Sequence, residues 1–110
     1  MIYLVYRTQI NENGRRDLER VWRWIKEREP WFYKDLPMVR SVKRYVTRIG
    51  PSYTVETWLV LDDMRAYADY LDRVAELRSN PEWERQRTEQ ENYWTFLDSR
   101  IMADAPIPSD

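Results

Sequence analysis

The sequence predicts an α+β sandwich, a four-stranded antiparallel sheet with helices on one face, and three observations predict it. Apolar residues alternate at a period of two within residues 2–9, 39–49 and 53–61, and they recur at helical spacing in two separate segments. The length of 110 residues, 43% hydrophobic and 34% charged, suits one soluble domain.

In the first strand Ile2, Leu4, Tyr6 and Thr8 fall on one side and Tyr3, Val5, Arg7 and Gln9 on the other. Asn11-Glu12-Asn13-Gly14 is turn chemistry, after which Leu18, Val21, Trp22 and Ile25 line one helical face, with Trp24 beside them. Pro30 is expected to end this helix, because its ring disfavours a helical residue before it. Trp31-Phe32-Tyr33 then opens an aromatic loop, either a lid over a pocket or a contact with a second subunit. Residues 39–49 and 53–61 read as a hairpin across Gly50-Pro51-Ser52. If Ile49 faces Tyr53, Arg44 lies opposite Trp58 and Val46 opposite Glu56.

Asp62 and Asp63 cap a second helix with the stripe Tyr67, Tyr70, Leu71, Val74 and Leu77. Ser79-Asn80-Pro81 breaks it, and Asn80 as N-cap with Pro81 at the first helical position restarts it. Trp83, Arg87, Gln90, Trp94 and Leu97 then lie near one face, and Arg100-Ile101-Met102-Ala103 forms a short last strand. The order βαββαβ is that of a ferredoxin-like sandwich whose second helix is broken near Asn80-Pro81. Residues 1–104 are expected to form the domain, and 105–110 an extended tail.

Composition removes much chemistry. With no histidine and no cysteine the chain has no thiol nucleophile, imidazole base, disulfide or Cys/His metal site. No metal and no cofactor are expected, and Asp62-Asp63 reads as capping. Eighteen basic against nineteen acidic residues, without a basic cluster, argue against nucleic acid as a partner. No apolar run approaches a membrane span of about 20 residues, and the N-terminus lacks a basic leader segment. The expectation is a cytoplasmic protein without membrane contact.

The helix-facing side of the sheet is assigned Ile2, Leu4, Tyr6, Tyr45, Thr47, Val55, Thr57 and Leu59. The other side still holds Tyr3, Val5, Val42, Val46, Trp58 and Val60. A sheet apolar on both faces with one helix layer needs a second cover, so a homodimer joined sheet to sheet is predicted.

At this point the sequence resembles the dimeric α/β-barrel superfamily, most nearly its NIPSNAP-like and EthD-like small proteins. The resemblance rests on Met1-Ile2-Tyr3, Val39-Arg40-Ser41-Val42-Lys43-Arg44-Tyr45, Asp62 through Leu71, and Asn80-Pro81-Glu82-Trp83, in order along nearly the whole chain. It implies a two-subunit β-barrel with a ligand cavity between sheet and helices in each subunit. Family members include monooxygenases, isomerases, polyketide cyclases and haem-degrading enzymes. Because this chain has no histidine, the imidazole-dependent chemistry is set aside, which leaves Asp, Glu, Tyr or Arg mechanisms.

Two groups of candidate site residues follow. Tyr6, Trp22, Tyr45, Thr57 and Trp94 are expected to converge between helices and sheet, as aromatic walls and hydroxyls for a flat organic ligand or as ordinary core. Arg7, Arg44, Arg48, Glu56 and Trp58 are expected on the opposite face. There they form either a structural network with Arg44 stacked on Trp58, or an anion site with Glu56 as general base. The catalytic candidates are Tyr45, Tyr6 and Glu56, and the ligand-binding candidates Trp22, Thr57, Trp94, Arg44 and Trp58. The predicted function is a homodimeric binder of a small hydrophobic or aromatic molecule. It is either a cofactor-independent monooxygenase, isomerase or cyclase acting on an aromatic or polyketide-like compound, or a non-catalytic ligand-binding or interaction protein whose dimer is the functional unit.

Overall fold

Antiparallel ladders join four strands, β1 (Ile2–Ile10), β2 (Ser41–Val46), β3 (Thr54–Leu61) and β4 (Trp94–Ala103), in the order β2-β3-β1-β4. The structure, a computed structural model, describes residues 1–108. The last two residues of the expected tail therefore lie outside the described residues. One face of the sheet carries the helices α1 (Glu12–Arg15), α2 (Leu18–Tyr33), α3 (Met64–Arg78) and α4 (Pro81–Thr88), and a 3-10 turn spans Glu89–Asn92. This is the ferredoxin-like α+β sandwich predicted, with the second helix broken at Asn80-Pro81.

Local chemistry explains the helix starts. The Asn11, Asp17, Asp63 and Asn80 side chains each accept backbone N–H groups of the first turn. Only Asp63 of the acidic pair caps a helix, since Asp62 instead forms a two-pronged ion pair with Arg40. Pro30 does not end α2, which continues to Tyr33. A mid-helix proline costs about 3 kcal/mol, and aromatic packing offsets it: Phe32 and Trp31 stack on Trp83 at 5.4 and 6.2 Å between ring centroids. Trp31-Phe32-Tyr33 is thus the last turn of α2, half-buried against the core, rather than a loop.

The β2–β3 register differs from the expected one. Lys43 pairs with Trp58, Arg44 with Thr57, Tyr45 with Glu56 and Val46 with Val55. The loop runs from Arg48 to Tyr53, with Gly50 at φ 133 and Tyr53 at φ 60, so the turn is longer than Gly50-Pro51-Ser52. A one-residue slip reverses every side chain of a strand. Val42, Arg44 and Val46 therefore face the helices, and Tyr45 faces away with Tyr3, Val5, Trp58 and Val60.

β4 is also longer than expected. It begins at Trp94, so Trp94 and Leu97 belong to a strand and not to a helix, and the β1 ladder shifts between Arg7 and Thr8, leaving Leu97 unpaired as a bulge. The helix side holds two apolar clusters. Leu4, Leu36, Leu59, Leu61, Tyr70, Leu77 and Trp83 form one, and Ile10, Val21, Ile25, Val55, Tyr93 and Trp94 the other.

Candidate functional site

Between α2 and the edge strand β2 lies an open cleft of about 870 Å³. Its walls exist because α2 buries Val21 and Ile25 on the sheet while its next stripe, Trp22, Lys26, Glu29 and Tyr33, overhangs β2. Val42, Val46 and Val55 supply the apolar floor, and Arg44 rises from the middle of β2.

Arg44 is held from above, its Nη1 donating to Glu29 Oε2 at 2.7 Å in a half-buried ion pair. Its Nε is shut off from solvent and has no hydrogen-bond partner. Tyr33 stands on the same wall, and burial pushes its hydroxyl up to about 12 although Arg44 and Arg28 both pull it down. The Tyr6 and Tyr70 hydroxyls, outside the cleft lining, share a hydrogen bond at 3.0 Å. Burial raises both of these phenols as well. All three stay protonated at neutral pH and none serves as a base; Tyr33, on the cleft wall, can donate to a carbonyl or an anion, whereas Tyr6 and Tyr70 use one of their protons on each other.

The sequence-predicted residues divide over the two faces of the sheet. Tyr6, Trp22, Arg44 and Thr57 lie on the helix side, with Trp22 and Arg44 in the cleft wall and buried Thr57 paired with Arg44 across the ladder. Trp94 is on that side too, packed under α2 against Trp24 and donating from its indole N–H to Gln90. Tyr45, Glu56 and Trp58 occupy the outer face, so Tyr45 does not join the other pocket candidates. There the Trp58 indole donates to Glu56 at 2.9 Å, Arg100 reaches the other Glu56 oxygen, and Tyr45 meets the Trp58 ring edge-on. The expected Arg44–Trp58 stack is not formed, because Arg44 points the other way. Arg7 pairs with Asp98.

Arg28, Glu29, Tyr33 and Tyr70 escaped the sequence reading as site residues. Glu29 and Tyr33 were obscured by the proline between them. Arg28 left a usable signal, because it follows Val21 and Ile25 at i+7 and i+3 and so puts a charge in a buried stripe. Among the described residues no group of three or more acidic side chains could hold a metal ion, and no helix is long and apolar enough to cross a membrane.

The topology and the helix-side cleft define a ferredoxin-like α+β protein. No protein-family model and no curated protein matches the sequence. Among solved structures, an uncharacterized NIPSNAP domain protein from Burkholderia xenovorans matches with a TM-score of 0.72 at 14% identity over 100% of both chains. A NIPSNAP family protein from Agrobacterium tumefaciens matches with a TM-score of 0.68 at 15% identity, covering 97% of this chain and 89% of that one. An antibiotic biosynthesis monooxygenase follows at a TM-score of 0.53 and 11% identity, covering 98% of this chain and 100% of that one. The NIPSNAP-like resemblance read from the sequence therefore holds at the level of the fold.

Proposed function

We propose that this protein binds a small, flat, largely apolar molecule in the α2–β2 cleft and works as a homodimer joined through the outer face of its sheet. The observation that carries the binding reading is the combination in one cleft of apolar walls with a compact polar set, Tyr33, Glu29 and Arg44. A thermal-shift screen of aromatic acids, quinones and polyketide fragments tests it, since a ligand selective for the native state raises the midpoint. Trp22→Ala should weaken a hit about tenfold by removing an aromatic wall, whereas Tyr45→Phe, on the far side of the sheet, should leave it unchanged. Equal binding by Trp22→Ala and the parent would place the ligand elsewhere.

The dimer reading is supported by an outer face on which Tyr45, 49% exposed, and Met102 are open and Tyr3, Trp58 and Val60 half-buried. Light scattering at micromolar concentration should give twice the chain mass. Tyr45→Arg, which meets Glu56 within its own sheet but would bury a charge against the partner, should give the chain mass alone. A monomeric parent protein removes the dimer reading and leaves the cleft reading intact.

Catalysis, where it accompanies binding, is of the cofactor-independent monooxygenase, isomerase or cyclase kind. The antibiotic biosynthesis monooxygenase among the structural neighbours supports that direction. In this reading Tyr33 polarises a carbonyl as a neutral donor, and Tyr6, bonded to Tyr70 outside the cleft lining, and Glu56, across the sheet, take no part at this cleft. The competing reading, a non-catalytic protein whose dimer is the functional unit, is favoured by the lack of a neutral-range base in the Tyr6, Tyr33 and Tyr70 set. Conversion of a thermal-shift hit, followed by chromatography, separates the two.

A further inference from the structure

Charge is unevenly distributed around this cleft. Lys26, Arg40 and Arg44 line it against one carboxylate, Glu29, in a chain whose net charge is −1. Arg40 is neutralised by Asp62 and Arg44 by Glu29, which leaves Lys26 on the wall and Arg28 behind it.

Arg28 is the more unusual of the two. It is half-buried, and its guanidinium carbon lies 4.3 Å from the centre of the Phe32 ring and 5.0 Å from that of Trp24. Among the described residues no carboxylate forms an ion pair with it, while ten other pairs are made. Its Nε, like that of Arg44, is closed off from solvent without a partner. Burial pulls its pKa down to about 10, so it remains a cation at neutral pH. The positive charges of Arg28 and Arg44 both act on the Tyr33 hydroxyl at the cleft wall. Aromatic faces and the Glu89 carboxylate, too far for an ion pair, compensate this desolvated cation only partly, and an unpaired one destabilises the fold that holds it. An anion brought to the cleft would supply the missing counter-charge, at a place where low dielectric makes it count.

We propose that the ligand of this cleft is an organic anion, an aromatic compound bearing a carboxylate, held by Lys26 beside the Arg44–Glu29 pair, in the field of Arg28 and with the Tyr33 hydroxyl as a further donor. The proposal rests on the cleft being the ligand site. It names the charge of the ligand, which the shape of the cleft leaves open.

Calorimetry with 2-naphthoate and with 2-naphthamide, equal in shape and different in charge, tests it. The acid should bind about tenfold or more tighter than the amide, and added salt should narrow that gap. Arg44→Gln and the exposed Lys26→Gln should each reduce the preference for the acid over the amide. Arg28→Met should also reduce it, and should leave the unliganded protein as stable as the parent or more stable, because it removes the unpaired cation. Equal binding of acid and amide, or an acid preference that survives all three substitutions, overturns the proposal and leaves the cleft reading standing. Failure of both probes and of the whole aromatic screen overturns the cleft reading, and this proposal with it.

Discussion

Leu59→Ala is expected to lower stability by about 3 kcal/mol, the usual loss for a leucine cut back in a well-packed core. Leu59 is 0% exposed, lies on the inner strand β3, and pairs with Leu4 on one side and Val42 on the other. Ladders on both sides hold the backbone, so the cavity cannot collapse. In a domain of this size the midpoint should fall by about 10–20 °C in a thermal melt. Val42 is a floor residue of the cleft, so the same substitution should also weaken any ligand bound there. A loss below 1 kcal/mol would mean that the space above β3 refills, and that the core around Leu4, Leu61 and Tyr70 is looser than its burial indicates.

Gly14→Ala should destabilise by about 2–3 kcal/mol through overpacking, although alanine in place of a helical glycine normally helps by about 1 kcal/mol. A Cβ at Gly14 would lie 2.6 Å from Ile10 Cγ2, 2.6 Å from the Tyr93 carbonyl oxygen and 3.3 Å from Val21 Cγ2. None of these can easily give way. Ile10 and Val21 are fully buried and branched, and the Tyr93 carbonyl accepts the Asn11 N–H. Urea titration at constant slope checks the sign, and a stabilised variant would show that α1 can swing away from β4. The consequence reaches beyond one turn, because this contact seats the start of α2 and hence the overhang of Trp22.

The elements that were legible from sequence are those decided by neighbours along the chain. Asp63, Asn80 and Pro81 announce helix starts through groups within three residues of themselves. The alternation in β1 and the stripes of α2 and α3 report which surface each element buries. Pro30 shows where this reading stops, since its local cost is outweighed by Trp83, far along the chain and stacked on Phe32. The same limit hid Glu29 and Tyr33, which reach the cleft only because the helix continues past the proline.

The faces of β2 show the division most clearly. Arg40, Val42, Arg44 and Val46 alternate with Ser41, Lys43, Tyr45 and Thr47, and both sets mix apolar and charged groups, so the period of two is visible while its phase is not. The order of strands and main helices, the caps at Asp63 and Asn80, the ferredoxin-like class and the lack of imidazole and thiol groups can be read from the chain alone, because these depend on residue identity and short-range spacing. That Arg44 lies under α2 and Tyr45 on the open sheet follows from long-range packing instead. Strand phase is set by the length of the Arg48–Tyr53 loop and by packing against β3, and a shift of one residue there exchanges every side chain between the cleft and the opposite face.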